Sequence, residues 1–168
     1  MANSDKPNGL TPIGTLSGSD YHGKMRPVAF AAGDAVAAYV GDLVKLTGTV
    51  DATGKIPVVA QSAAGDASIG VLVSLDFDAS DEGGLMTPLT RAASTARTGQ
   101  VVFGQDVLYK IQEDSDSNAI EITEAGLNCN IIVGTASNVT GSGMELDSTS
   151  AAGTSTLNVR LHHVFDSP

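Results

Sequence analysis

The sequence predicts an all-β chain, built as a single β-sandwich or small β-barrel, with a jelly roll among the arrangements allowed. Three observations carry that prediction. Apolar residues alternate with a period of two, turn residues recur between the alternating runs, and helical stripes are nearly missing. The clearest run is Ile69, Val71, Val73, Leu75 and Phe77, interleaved with Gly70, Leu72, Ser74, Asp76 and Asp78. Its odd positions are wholly apolar and are expected to face a core. Near the C-terminus, Leu157, Val159, Leu161, His163 and Phe165 alternate with Asn158, Arg160, His162, Val164 and Asp166. Shorter pieces repeat the pattern: Val44 and Leu46; Ile56, Val58 and Ala60; Val107, Tyr109 and Ile111; Ile120 and Ile122; Ile131 and Val133. Between them stand Gly41-Asp42, Asp51-Ala52-Thr53-Gly54, Gly65-Asp66, Gly104-Gln105-Asp106 and Asp114-Ser115-Asp116-Ser117-Asn118. Strands recurring about every ten residues point to a sandwich or barrel. One short helix is expected, from Leu89 to Ala96 after Pro88.

Size and composition agree with this. A chain of 168 residues fits one domain, and aromatics at 4% with no tryptophan leave the core to Val, Ile and Leu. Nineteen glycines supply turns in excess of what a helical protein uses. The net charge is −10 and it is unevenly spread. Residues 1–26 hold Lys6, Lys24 and Arg26 against Asp5 and Asp20, a net of +1, while six basic and seventeen acidic residues give the remainder −11. Such a body repels phosphates, so neither nucleic acid nor an anionic membrane is an expected partner. Cys129 is the single cysteine, so no intrachain disulfide can form, which suits a reducing cytoplasm. The start Met1-Ala2-Asn3-Ser4-Asp5 lacks the apolar stretch of a secretion signal. No apolar run approaches the ~18 residues of a membrane-spanning helix.

Residues 1–26 read as a segment apart from the β-rich body at 27–168. They are rich in Asn, Gly, Pro and Ser, with Leu10, Ile13 and Leu16 spaced among them. A frayed terminus is one reading. The spacing favours the other, an extended arm whose Leu10, Ile13 and Leu16 find pockets on a neighbouring molecule.

Residues able to carry chemistry are sparse. Asp114, Asp116 and Asn118 have the opening spacing of a calcium loop, but Ala119 and Ala125 stand where such a loop needs Gly and Glu. A solvated hairpin tip is the expected role. Asp76, Asp78, Asp81 and Glu82 form a second acidic patch. His162 and His163 are adjacent on a predicted strand, so they point to opposite faces and cannot share a metal; His163 is expected in the core or at an interface. Cys129 lies in the apolar stretch Leu127 to Val133, where a buried inert thiol is expected. Gly141-Ser142-Gly143 is a turn, with neither a nucleophile elbow nor a phosphate-binding loop around it. Asn138-Val139-Thr140 matches a glycosylation sequon by chance. No catalytic residue, metal or cofactor is expected.

The opening Lys6-Pro7-Asn8-Gly9-Leu10-Thr11-Pro12-Ile13-Gly14-Thr15-Leu16-Ser17-Gly18 resembles the start of capsid decoration proteins of tailed bacteriophages. Val40-Gly41-Asp42-Leu43-Val44-Lys45-Leu46-Thr47-Gly48, Ile69-Gly70-Val71-Leu72-Val73 and Thr140-Gly141-Ser142-Gly143-Met144-Glu145-Leu146-Asp147 are similar to parts of the same family. The resemblance implies a non-enzymatic cement protein of the virion, made in the host cytoplasm. It would sit on the outer capsid surface, bridging major capsid protein subunits, commonly as a homotrimer. Two other readings stand beside it. A different virion part, such as a head fibre base or minor tail protein, is one. The other, a carbohydrate-binding sandwich, has only Tyr21, Tyr39 and Tyr109 to offer as tyrosine platforms.

Overall fold

The computed structural model describes residues 6–77, 89–114, 116–137 and 139–164. Thirteen strands and two single-turn 3-10 segments make up the described secondary structure, so the chain is all-β. In chain order the first seven strands are β1 (Thr11–Thr15), β2 (Met25–Phe30), β3 (Ala38–Tyr39), β4 (Leu43–Val50), β5 (Pro57–Gln61), β6 (Gly70–Leu75) and β7 (Thr90–Arg91). The others are β8 (Arg97–Phe103), β9 (Val107–Lys110), β10 (Asn128–Cys129), β11 (Ile131–Val133), β12 (Met144–Leu146) and β13 (Val159–Arg160).

Five strands close into a barrel in the order β2-β5-β4-β6-β8, with β8 pairing back onto β2. All its pairings are antiparallel except β2 with β5, which run parallel through Ala29↔Val58 and Phe30↔Val59. Closure removes the open edges that a five-stranded sheet would otherwise expose. Val28, Phe30, Ala38, Val44, Val59, Leu72, Leu75 and Val101 fill the interior. Four two-stranded sheets surround the barrel: β1-β9, β3-β7, β10-β13 and β11-β12.

A second apolar cluster, Leu10, Leu43, Val71, Ile131 and Met144, lies outside the barrel wall. Leu43 belongs to it while Val44 points into the barrel, and Val71 and Leu72 divide in the same way. Strands β4 and β6 are therefore covered on both faces where they begin. A third cluster, Cys129, Leu146 and Leu161, continues the outer layer.

The period-two expectation for Ile69 to Phe77 fails halfway along. Leu72 pairs with Val101 but Ser74 with Gln100, so Val73 is an extra residue in a bulge. A bulge shifts the phase of the pleat, which puts Leu72 and Leu75 on the same interior face and leaves Val73 half-buried. Phe77 lies past the strand and is 62% exposed, against the expectation of a core residue. The predicted C-terminal strand shrinks to Val159–Arg160, with Leu161 buried beyond it. His162 and His163 are both exposed outside any strand, so His163 is no core residue, and Phe165 falls outside the described residues. Ile120 and Ile122 are likewise not a strand, because a 3-10 turn occupies Ile122–Glu124.

The short helix expected over Leu89 to Ala96 is absent. Thr90 and Arg91 form β7, paired as Ala38↔Arg91 and Tyr39↔Thr90, and the chain then turns through Ser94 at φ 58°. The physical reason is Arg91, whose side chain is wholly buried despite its charge. Its Nε donates to the Thr95 carbonyl at 2.6 Å, Nη1 to Val36 at 2.6 Å, and Nη2 to Ala31 at 2.5 Å and Asp34 at 3.1 Å. The Asp34 carboxylate lies 3.4 Å from Nη1, and the Phe30 ring sits beneath the guanidinium at 5.6 Å. Most of these partners are distant in sequence, and they outweigh a weak local helix preference.

Candidate functional site

The N-terminal segment is the strap of the outer layer. β1 pairs with β9 from Thr11↔Lys110 to Thr15↔Val107, with a bulge between Pro12 and Gly14. Of the three apolar residues expected to serve a neighbour, Leu10 is only 3% exposed and packs in the chain's own second cluster. Ile13 and Leu16 remain at the surface, 48% and 53% exposed. The segment's last two residues, Met25 and Arg26, already belong to barrel strand β2. The extended arm is thus tied to its own body, and only Ile13 and Leu16 of the trio face outward.

What ties it is a backbone clamp. The Leu10 N–H donates to Gly41 at 2.8 Å, Gly41 N–H to Leu72 at 2.7 Å, and Leu72 N–H to Asp42 at 2.9 Å. From the other side, the Ser142 N–H donates to Val40 at 3.0 Å. The crossing admits no side chain at Gly9 or Gly41. A Cβ on Gly9, whose φ is +70°, would lie 2.5 Å from both the Gly41 carbonyl oxygen and the Ser142 Cβ. One on Gly41, at φ +99°, would lie 2.7 Å from the Asn8 carbonyl oxygen. Glycine is required at both positions, for backbone conformation and for closeness of approach.

Beneath the clamp lies Asp42, fully buried. Its Oδ2 accepts from the Tyr39 N–H at 2.8 Å and the Gln61 amide at 2.7 Å. Oδ1 faces the Ser142 hydroxyl without a well-formed hydrogen bond. Burial pushes the Asp42 carboxyl above its ordinary 3.8, against the opposing pull of Ser142, Tyr39 and Gln61. The folded chain therefore holds this proton more tightly than the unfolded one. Stability from Asp42 is full below 3.8 and is lost as pH rises through the raised folded value. Asp51 has the opposite sign: the Thr53 hydroxyl and the Ile56 N–H hold it down to about 2, so its contribution is present above 3.8 and fades in acid. Asp42→Asn should keep the hydrogen bonds from Tyr39 and Gln61 without the buried charge. Urea titrations across the pH range are expected to show the variant gaining on the parent as pH rises above 3.8. A constant gap at every pH would mean that Asp42 is not titrating in the fold.

The other sequence-marked residues are used locally. Asp114 Oδ1 accepts from the Ser148 N–H at 2.9 Å. Asp116 Oδ1 accepts from the Asn118 N–H at 2.6 Å and the Ser148 hydroxyl at 3.1 Å. Asp114, Asp116 and Asn118 thus shape a turn against residues 147–150. Among the described residues, no three or more His, Cys, Asp or Glu side chains come together in a metal-holding group. Asp76 accepts from Thr98 at 2.6 Å, while Asp78, Asp81 and Glu82 lie outside the described residues. Cys129 is fully buried, its Sγ donates to the Asp147 carbonyl at 3.0 Å, and burial pushes the thiol up. Ser142 is also fully buried, and Asn138 of the sequon is outside the described residues.

The described surface carries clefts, two of which are defined by their lining residues. One, of about 300 Å³, lies beside the clamp and is lined by Asn8, Pro12, Tyr21, Met25 and Leu72 among others. The second, of about 510 Å³, lies where Ala29, Phe30, Val50, Val58 and Ala96 meet. Neither is lined by a histidine, cysteine or serine.

Asp42 and Arg91 were not singled out by the sequence. Asp42 carries one local signal, a lone acid between Val40 and the apolar Leu43-Val44. Arg91 carries none, because three of its carbonyl acceptors come from residues 31–36. Comparison with known proteins found no matching family model, no matching curated protein and no matching solved structure.

Proposed function

We propose that this chain is a non-enzymatic structural protein of the virion that decorates a tailed-phage capsid. In this reading it sits on the outer surface as a homotrimer and bridges major capsid protein subunits. One observation supports it most. The stretches that resemble decoration proteins are distant in sequence, yet parts of them, Gly9-Leu10, Val40 to Leu43, Val71-Leu72, Gly141-Ser142 and Met144, converge at one clamp. A resemblance spread by chance would have no reason to fall on the residues that hold the strap to the barrel. The strap then offers Ile13 and Leu16 to a partner from a fixed base, which lowers the ordering cost of docking compared with a free tail.

The test uses undecorated shells assembled from the major capsid protein encoded beside this chain. Saturable co-sedimentation is expected, with bound protein in threes on cryo-electron microscopy. Ile13→Ser with Leu16→Ser should cut binding about tenfold or more while moving stability by under roughly 0.5 kcal/mol, since both side chains are exposed. Absence of binding by the parent chain would sink the reading.

A further inference from the structure

We propose that Asn8 is a self-modification site, at which attack by the Gly9 main-chain nitrogen turns the carboxamide into a carboxylate and loosens the strap. The two reacting atoms lie on adjacent residues, so a five-membered ring can close without help from a distant group. Two features normally restrain this reaction. A side chain on the following residue crowds the nitrogen, or hydrogen bonds hold the amide N–H and the carboxamide in place. Gly9 has no side chain, and among the described residues neither the Gly9 N–H nor the Asn8 carboxamide makes a hydrogen bond. Asn8 is exposed and stands on the rim of the 300 Å³ cleft, where water reaches it.

The chemistry balances with water as the only co-reactant. Gly9 itself is buried, so its nitrogen loses its proton to water in the cleft that Asn8 and Leu10 line on either side of it, and then bonds to the Asn8 Cγ. The bond from Cγ to Nδ2 breaks, and ammonia leaves. Water then opens the cyclic imide at one carbonyl or the other. The product is aspartate, or isoaspartate with the main chain running through the side-chain carbon. Nothing is oxidised or reduced.

The clamp makes this outcome consequential. Isoaspartate adds one carbon to the backbone directly before Gly9, where a Cβ already finds atoms 2.5 Å away. The next residue, Leu10, must keep both its 2.8 Å bond to Gly41 and its place in the second cluster. A longer backbone cannot satisfy both from the same Gly9 position. Either product also adds a negative charge to a chain already at −10, close to the clamp that covers buried Asp42. The inference is independent of the capsid reading.

The full-length chain, incubated folded at mildly alkaline pH, is digested and mapped by mass spectrometry beside a urea-unfolded sample. In the folded sample residue 8 is expected to gain one mass unit ahead of every other asparagine. Aged chains should melt lower than fresh ones and be cleaved sooner within residues 6–16. Asn8→Gln, whose ring would need six members, should show no gain at that position and no fall in melting temperature on ageing. An intact Asn8 in folded chains, with conversion in the unfolded sample, would overturn the proposal by showing that the fold protects it. Conversion with the strap as protease-resistant as before would overturn its claimed effect.

Discussion

Arg91→Ala is expected to cost about 3–5 kcal/mol in urea unfolding, a loss set by four lost hydrogen bonds, two stranded carbonyls and one stranded carboxylate. Burying a guanidinium carries a heavy desolvation penalty, and burial indeed pulls its pKa below the ordinary value, with Asp34 opposing. What offsets the penalty is full engagement of the fork. Four backbone carbonyls, of Ala31, Asp34, Val36 and Thr95, accept from one side chain. Alanine leaves the Val36 and Thr95 carbonyls without this donor, while Ala31 and Asp34 keep one each from the Asp34 and Ser94 N–H groups; it also strips the Asp34 carboxylate of its ion-pair partner and removes the cation from the Phe30 face. Arg91→Lys should recover only part of the loss, because one ammonium cannot reach acceptors on both the 31–36 loop and Thr95 in a planar fork. A cost below about 1 kcal/mol for Arg91→Ala would mean that water replaces the guanidinium and the site is not dry.

Deleting residues 2–18 is expected to destabilise the body by roughly 3–6 kcal/mol, a large share of a typical domain's stability. The sequence reading favoured instead an extended arm whose Leu10, Ile13 and Leu16 serve a neighbouring molecule. The difference lies in Leu10. With Leu43, Val71, Ile131 and Met144 it fills the second cluster, so its removal uncovers the outer face of β4 and β6. The β1 pairing with β9 goes too, along with the donor to Gly41. Leu10→Ala alone should account for about 2–4 kcal/mol of this. Differential scanning calorimetry of the truncated chain measures the loss directly. An unchanged melting temperature would show that the strap adds nothing to the body and serves only a partner.

Part of the barrel was legible in the alternation. The runs around Val44, Val58 and Ile69 to Leu75 became strands β4, β5 and β6, while β2 and β8 had not been expected as strands. Departures cluster where the pattern had two causes. Strand β6 is covered on both faces, so Val71 and Leu72 are both buried and alternation loses its meaning there. The bulge at Val73 then reversed the phase, and no local residue announces it. The candidate site was less legible still. Gly9, Gly41 and Ser142 look like ordinary turn residues until the crossing of three segments shows why each is small.

By itself, then, the sequence determined the all-β class, the places where many strands stop, and the sparse supply of groups suited to catalysis. These depend on neighbouring residues and on composition, which a chain carries before it folds. Tertiary structure alone decided that the strap belongs to the body, that Arg91 is a buried staple, and that Asp42 lies beneath the clamp with its carboxyl pushed toward the protonated form. Those outcomes come largely from contacts between residues tens of positions apart. Whether a polar group is buried, and what meets it there, is set by closure of the barrel and has no local signature.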